Sequence, residues 1–89
     1  MPMKVIDCQA TCANIQKLIK EKGLTPTDLK EILDLVSVQS VYKWFRTARG
    51  KGNSMPSVDH VIVLAHYLNV SLDDLYITYD INYEKKHKA

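Results

Sequence analysis

Four stretches of this chain repeat apolar residues three and four positions apart, and a serine or threonine precedes each of them. Such spacing places the apolar side chains on one face of a helix, and a hydroxyl side chain is a favoured N-cap. The 89 residues leave room for one small domain, which buries too little surface to enclose a large substrate cavity. The pattern therefore predicts a single all-α bundle of short helices.

The first two helices have start and stop signals of their own. The first is predicted to begin after Thr11 and to end at Gly23, because glycine readily adopts the left-handed conformation that follows many helices. The second is predicted to begin at Pro26, with Thr25 as its N-cap, since the first helical position does not need the N–H that proline lacks. This helix is predicted to end near Asp34.

A third helix is predicted from Val38 to about Thr47, with Ser37 as its N-cap. Val41 and Trp44 are expected to point into the core. The polar side chains that are expected to face solvent are Gln39, Ser40, Lys43 and Arg46. Two helices joined by a link of three or four residues, the second with polar and basic groups outside, have the outline of a helix-turn-helix, although many helical bundles share it.

Two further helices are predicted after Pro56. Ser57 is the predicted N-cap of the fourth helix, and Asn69 its predicted end. A wide apolar stripe is typical of a largely buried helix, and here it consists of Val58, Val61, Ile62, Leu64, Ala65 and Leu68. Ser71 precedes Asp74 by three residues, as in a capping box, which predicts a short fifth helix.

The end of the chain has a different period. Apolar residues alternate there with polar ones, as in a strand, at Ile77, Tyr79, Ile81 and Tyr83. Met3 and Val5 could supply a partner strand from the other terminus. Because an unpaired strand exposes backbone donors and acceptors, this segment is expected to pair within the chain or across a dimer, with a flexible tail as the third alternative.

The net charge of +2 hides an uneven distribution of charge. Residues 1–34 have no net charge, residues 35–57 carry +4 without any acidic residue, and residues 58–83 carry −4 without any lysine or arginine. A polyanion is therefore expected to find one face on which to dock. The alternative is a solvated loop that happens to be basic.

Several other functions lack their sequence signals. The glycine-rich loop 46–54 does not have the spacing of a nucleotide-phosphate cradle. Cys8 and Cys12 lie four positions apart, but no second pair of ligands follows at zinc-finger spacing, so we expect reduced thiols and no metal or other cofactor. No nucleophile has an activating base nearby, which argues against an enzyme. Without an apolar leader or a span of roughly 18 apolar residues, a cytoplasmic location is expected.

Four segments, taken in order, have the pattern of a known family. They are Leu-Thr-Pro-Thr-Asp-Leu at 24–29, Val-Tyr-Lys-Trp at 41–44, Met-Pro-Ser at 55–57 and Leu-Ala-His-Tyr-Leu-Asn-Val-Ser-Leu-Asp-Asp-Leu at 64–75. Together they resemble the Cro/C1-type helix-turn-helix domain, which is the lambda repressor-like or XRE family of phage and bacterial regulators. The resemblance covers Asp7 to Tyr76 and implies an all-α, five-helix DNA-binding domain, to which the period-2 termini could add short β-strands.

The chain departs from the family pattern at several positions. Pro26 stands where the family usually has a glutamine, and Lys30 and Asp34 stand where it usually has alanine and glycine. One extra residue lies between Leu33 and Trp44, and the loop after the third helix is several residues longer. These departures concern the DNA contacts more than the fold.

The resemblance also implies which residues meet DNA. The base-reading positions of the third helix fall on Val38, Gln39, Ser40 and Lys43. Of these, Gln39 could pair with adenine, Lys43 with guanine, and Val38 could contact a thymine methyl group. The residues expected at phosphates are Thr25, Tyr42, Arg46, Arg49 and Lys51, with Tyr42 as a stacking or surface-covering side chain.

We therefore interpret the chain as an N-terminal arm over residues 1–10, a helix-turn-helix domain over 11–76 and a strand-like segment with a basic tail over 77–89. The expected function is sequence-specific binding of double-stranded DNA by a homodimeric transcriptional regulator, in the sense of a repressor. The dimer candidates are Ile77, Tyr79, Ile81 and Tyr83. The alternative is a protein-interaction module on the same scaffold, such as an antitoxin that binds a toxin.

Overall fold

A computed structural model describes residues 2–82, which form five helices and two strands. In chain order these are β1 (Pro2–Ile6), α1 (Cys8–Glu21), α2 (Pro26–Ile32), α3 (Gln39–Ala48), α4 (Val58–Leu68), α5 (Leu72–Leu75) and β2 (Thr78–Asn82). The predicted five-helix architecture with short terminal strands is confirmed. No helix within the described residues is long and apolar enough to cross a membrane.

One cluster of buried apolar side chains holds the helices together. Its members are Cys12, Ile15, Ile19, Leu29, Leu33, Val41, Trp44, Val61, Leu64, Ala65, Leu68 and Leu75. All five helices contribute, and α3 packs mainly on α1. Because full burial of one such side chain stabilises a fold by about 1.5–3 kcal/mol, this cluster fixes α3 firmly against the bundle.

The helix α1 begins four residues before its predicted start. The Asp7 carboxylate caps it by accepting from the Ala10 N–H at 2.9 Å, so the prediction of Thr11 as N-cap is wrong. Thr11 is instead buried, and its hydroxyl accepts from the Ile77 N–H at 2.9 Å and donates to the Ile77 carbonyl at 3.3 Å. A buried hydroxyl needs such partners, and this pair ties α1 to the chain after α5.

The start of α2 is as predicted, and the link to α3 is longer than predicted. The Thr25 hydroxyl accepts from the Asp28 N–H at 3.2 Å, while the Asp28 carboxylate accepts from the Thr25 N–H at 2.8 Å. The link comprises the six residues 33–38. It lengthens because Asp34 adopts a left-handed conformation (φ 53°), which lets the Leu35 N–H close the helix on the Lys30 carbonyl at 2.9 Å.

The ends of α4 and the start of α5 are as predicted. The Ser57 hydroxyl accepts from the His60 N–H at 3.3 Å, Asn69 is left-handed (φ 58°), and Ser71 forms a capping box with Asp74. The prediction that the whole apolar stripe of α4 is buried is wrong. Val58 and Ile62 are 61% and 50% exposed, because the core covers only the face that contains residues 61, 64, 65 and 68.

The terminal strands pair with each other within the chain, which settles the three alternatives for the described part of this segment. They are antiparallel, with Met3 opposite Ile81 and Val5 opposite Tyr79. The Asp7 N–H donates to the Ile77 carbonyl at 2.8 Å and joins the base of the sheet to α1. The sheet is therefore joined to the bundle at the start of α1 and at the chain that follows α5.

Candidate nucleic-acid interface

The helix α3 has one buried face and one open face. Val41, Trp44 and Thr47 are buried against the core. The Thr47 hydroxyl is satisfied inside its own helix, where it donates to the Lys43 carbonyl at 3.1 Å. The Trp44 ring lies 6.2 Å from the His60 ring of α4, measured between centroids. These contacts leave the opposite face of α3 uncovered by the described residues.

The open face of α3 is polar and basic. The exposed residues of this face are Gln39, Tyr42, Lys43 and Arg46. The last three lie three, four and seven positions after Gln39, so all four share one face of the helix. The helix begins with Val38 as its N-cap, which makes no side-chain cap bond. The predicted N-cap Ser37 is therefore one residue too early, and its hydroxyl accepts from the Gln39 N–H at 3.3 Å.

The loop after α3 is held in place by the way the helix ends. Gly50 is left-handed (φ 77°), its N–H donates to the Thr47 carbonyl at 2.9 Å, and the Lys51 N–H donates to the Arg46 carbonyl at 2.9 Å. A Cβ on Gly50 would lie 3.2 Å from Nε2 of Gln9. Glycine is thus favoured here for its left-handed backbone conformation, whereas the Gln9 amide is the end of an exposed side chain that can move aside.

A basic concavity lies between α3 and this loop. It has a volume of about 200 Å³ and is lined by Lys43, Arg46, Lys51, Gly52, Asn53 and Ser54. The Cys12 thiol of α1 donates to the Ser54 carbonyl at 3.5 Å and anchors its far edge. Three cations therefore face one concave surface in a part of the chain, residues 35–57, that has no acidic residue. This arrangement suits an anion such as a phosphate group.

A family model described as a helix-turn-helix matches residues 15–75, about two thirds of the chain. The chain belongs to the Cro/C1-type helix-turn-helix family. It is accordingly a DNA-binding helix-turn-helix regulator, and its family is not a family of enzymes. No curated protein and no solved structure matches the chain significantly.

The base-reading positions that the sequence suggested for this helix-turn-helix protein are not equally accessible. Gln39 and Lys43 are exposed on the open face of α3. Val38 and Ser40 are half-buried, because Val38 lies in the link and Ser40 lies toward the side of the helix that packs. Gln39 and Lys43 are therefore the more accessible of these four side chains.

The suggested phosphate contacts fall into two groups. Arg46 and Lys51 line the basic concavity, whereas Arg49 is exposed at the C-cap of α3 and lies outside it. Tyr42 is exposed on the open face. Thr25 is exposed as well, and although its oxygen accepts from the α2 backbone, its hydroxyl hydrogen can still donate.

Three residues of the concavity were not among the sequence-based candidates, namely Gly52, Asn53 and Ser54. The loop exceeds the family pattern by several residues, and this extra length is the sequence feature that could have identified them. Such a loop must fold back on something, and here it folds back on α1 and the end of α3. Its backbone and amide groups then lie beside the cations.

Two of the four suggested dimer residues, Tyr79 and Ile81, lie on the terminal sheet. Ile77 lies just before β2, and Tyr79 and Ile81 lie on β2; Tyr79 is 51% exposed and Ile81 half-buried. Tyr83 lies outside the described residues. The pairs Met3–Ile81 and Val5–Tyr79 place apolar side chains together on one face of the sheet.

The two thiols of the family member differ in environment. Cys8 is exposed, and Cys12 is a core side chain. Burial, together with the charge of the neighbouring Cys8 thiolate, raises the pKa of Cys12 to about 11. Within residues 2–82 no cluster of three metal-ligating side chains occurs.

Proposed function

We propose that the protein is a repressor of transcription. The open face of α3 recognises the base sequence of duplex DNA in this proposal, and the basic concavity binds the phosphate backbone. The observation that carries this proposal is the convergence of Lys43, Arg46 and Lys51 on one concave surface beside α3. Negative charge is absent from the whole segment 35–57. A protein partner would not require every acid to be missing there.

Affinity and specificity come from different residues in this proposal. Arg46 and Lys51 bind phosphates, and each phosphate neutralised lowers the slope of log affinity against log salt by about 0.9. Gln39 and Lys43 read base edges, since an amide matches adenine and an ammonium matches guanine in the major groove. Val38 and Ser40 have a smaller part because both are half-buried.

The regulator acts as a homodimer in this proposal. One recognition helix contacts only a few base pairs, and twofold symmetry doubles the site by placing two half-sites about one helical turn apart. Two surfaces could join the copies. One is the apolar face of the terminal sheet that contains Tyr79 and Ile81, and the other is the exposed face of α4.

Charge reversal tests the DNA surface directly. Lys43→Glu with Arg46→Glu should weaken binding to a mixed-sequence duplex by at least about 100-fold at low salt, because two cations of the DNA-facing surface become anions that the polyanion repels. Fluorescence anisotropy of the labelled duplex measures this loss. Lys17→Glu is the matched control, since Lys17 is an exposed cation on α1, and it should change affinity by no more than about threefold.

Wild-type affinity in the doubly reversed variant contradicts the proposal. The alternative function, a protein-interaction module, predicts instead that charge reversal leaves a complex with a protein partner intact. Circular dichroism of both variants should match that of the wild type, because the substituted side chains are exposed.

A further inference from the structure

The helix α4 is apolar on both of its faces. Its inner face consists of Val61, Leu64, Ala65 and Leu68, which are buried. Its outer face consists of Val58, Asp59, Ile62, Val63, His66 and Tyr67, which are exposed. An amphipathic helix on the surface of a small domain normally has a charged outer face, and a helix that is apolar all round is normally covered on both sides.

Four large apolar side chains on this outer face are exposed to solvent. Val58 is 61% exposed, Ile62 50%, Val63 43% and Tyr67 45%. Single exposed apolar residues are ordinary, but contiguous patches on monomers rarely exceed a few hundred Å² unless they bind something. Four such residues on one short helix therefore indicate a docking surface.

The order of residues on the outer face is self-complementary. If a second α4 packs antiparallel to the first, with the twofold axis between Ile62 and Val63, then Ile62 of one copy lies opposite Val63 of the other. Val58 then lies opposite Tyr67 in the same way. Each apolar side chain meets an apolar side chain twice, as an isologous contact requires.

The charged groups on the face obey the same symmetry. Asp59 and His66 lie equally far from that axis, so the Asp59 carboxylate of each copy lies opposite the His66 imidazole of the other. Both are exposed and both lie on the outer face, and no lysine or arginine occurs between residues 58 and 82. A DNA phosphate would meet only repulsion from Asp59 here, whereas a second copy brings the matching base.

We propose that a second copy of the chain docks on the outer face of α4, antiparallel and about a twofold axis between Ile62 and Val63. The inference rests on the proposed function, which calls for a dimer, and it names the surface. Eleven residues span only about 16 Å, so the contact lies at the small end of specific interfaces. A dissociation constant in the micromolar range is therefore expected.

Sedimentation equilibrium of the full chain tests this assignment. Ile62→Glu should weaken the dimer at least about tenfold, because it buries a charge among apolar side chains. Asp59→His and His66→Asp should each weaken it, since each places like charges opposite one another. The double exchange, Asp59→His with His66→Asp, should recover most of the loss by restoring the pair in reverse.

Tyr79→Asp is the competing arm of the same experiment, because it places a charge on the apolar face of the terminal sheet. It should sediment like the wild type. The proposal is overturned if Tyr79→Asp becomes monomeric while Ile62→Glu stays dimeric, if the double exchange recovers nothing, or if the wild type stays monomeric up to about millimolar concentration. In the last case the partner of the outer face of α4 is a different protein and not a second copy of the chain.

Failure of this proposal and failure of the DNA-binding proposal give different results. Ile62→Glu should bind a duplex too short for two half-sites as tightly as the wild type does, since Ile62 lies on α4 and not on α3. If the wild type binds no duplex at all, the DNA-binding proposal is refuted, whereas the sedimentation result still tests the dimer surface.

Discussion

The helices α3 and α4 are nearly equal in length, and both pack one face into the same core, yet their outer faces are opposites. The ten residues of α3 have an outer face of polar and basic side chains. The eleven residues of α4 have an outer face of apolar side chains with one acid and one histidine. The inner faces pack into the core. In the two proposals made above, the outer face of α3 contacts DNA and the outer face of α4 contacts a second copy.

The largest expected effect should not distinguish the two helices at all. Val41 of α3 and Val61 of α4 are both fully buried, so Val41→Ala and Val61→Ala should each lower the free energy of unfolding by about 2 kcal/mol through lost burial and a small cavity. Urea denaturation measures both. If one variant loses stability and the other does not, the inner faces of α3 and α4 do not contribute equally to the core.

The next effect distinguishes base recognition by Gln39 from phosphate binding by Lys51. Gln39→Ala should lower the preference for the best duplex over a mixed one by about 1–3 kcal/mol. Lys51→Ala should weaken both duplexes alike and reduce the salt slope by about 0.9. Anisotropy titrations at several salt concentrations distinguish these outcomes. Identical behaviour of the two variants would show that the open face and the concavity are not separate in function.

The buried thiol beneath the loop gives a pH dependence. Because the pKa of Cys12 is raised to about 11 in the fold from an ordinary value of 9.0, the neutral thiol stabilises the native state fully below pH 9.0, and this stabilisation is lost as the pH rises toward 11. Thermal denaturation should show this loss in the wild type. In Cys12→Val, which keeps the apolar volume, the decline over that interval should be smaller; equal declines contradict the assignment.

The smallest expected effect lies in the link that sets the position of α3. Asp34 adopts φ 53°, which glycine tolerates better, so Asp34→Gly should raise the free energy of unfolding by about 0.5–1 kcal/mol. Gly23→Ala is the matched opposite, since Gly23 has φ 77° and open space around it, and it should cost about 1 kcal/mol. Denaturant midpoints that move the same way in both variants would contradict this view of the helix ends.

The local signals of the sequence sufficed for most helix boundaries. Thr25, Ser57 and Ser71 each act within three residues of themselves, so neighbours in the sequence decide them. The start of α1 could not be decided this way, because Asp7 and Thr11 are both good N-caps. The choice depends on Ile77, which is 66 positions away from Thr11 and occupies its hydroxyl.

The parts of the candidate site that escaped prediction depend on how the chain folds back. The exposure of Ile62 follows from which side of a uniformly apolar helix the core covers, and periodicity does not contain that information. The basic concavity needs the loop to return to Lys43, and this return depends on the contact between Ser54 and Cys12. The exposure of Gln39, Lys43 and Arg46 on α3, by contrast, followed from helical spacing, whereas the base-reading positions followed from the family resemblance.

The most direct test of the central claim is selection of binders from a random pool of duplex DNA near physiological salt. If α3 and the concavity form a sequence-reading surface on a symmetric dimer, the selected sequences should converge on a near-palindrome with half-sites about 10 base pairs apart. Absence of enrichment, with only weak and salt-sensitive binding, would contradict the claim and leave the basic surface without specificity.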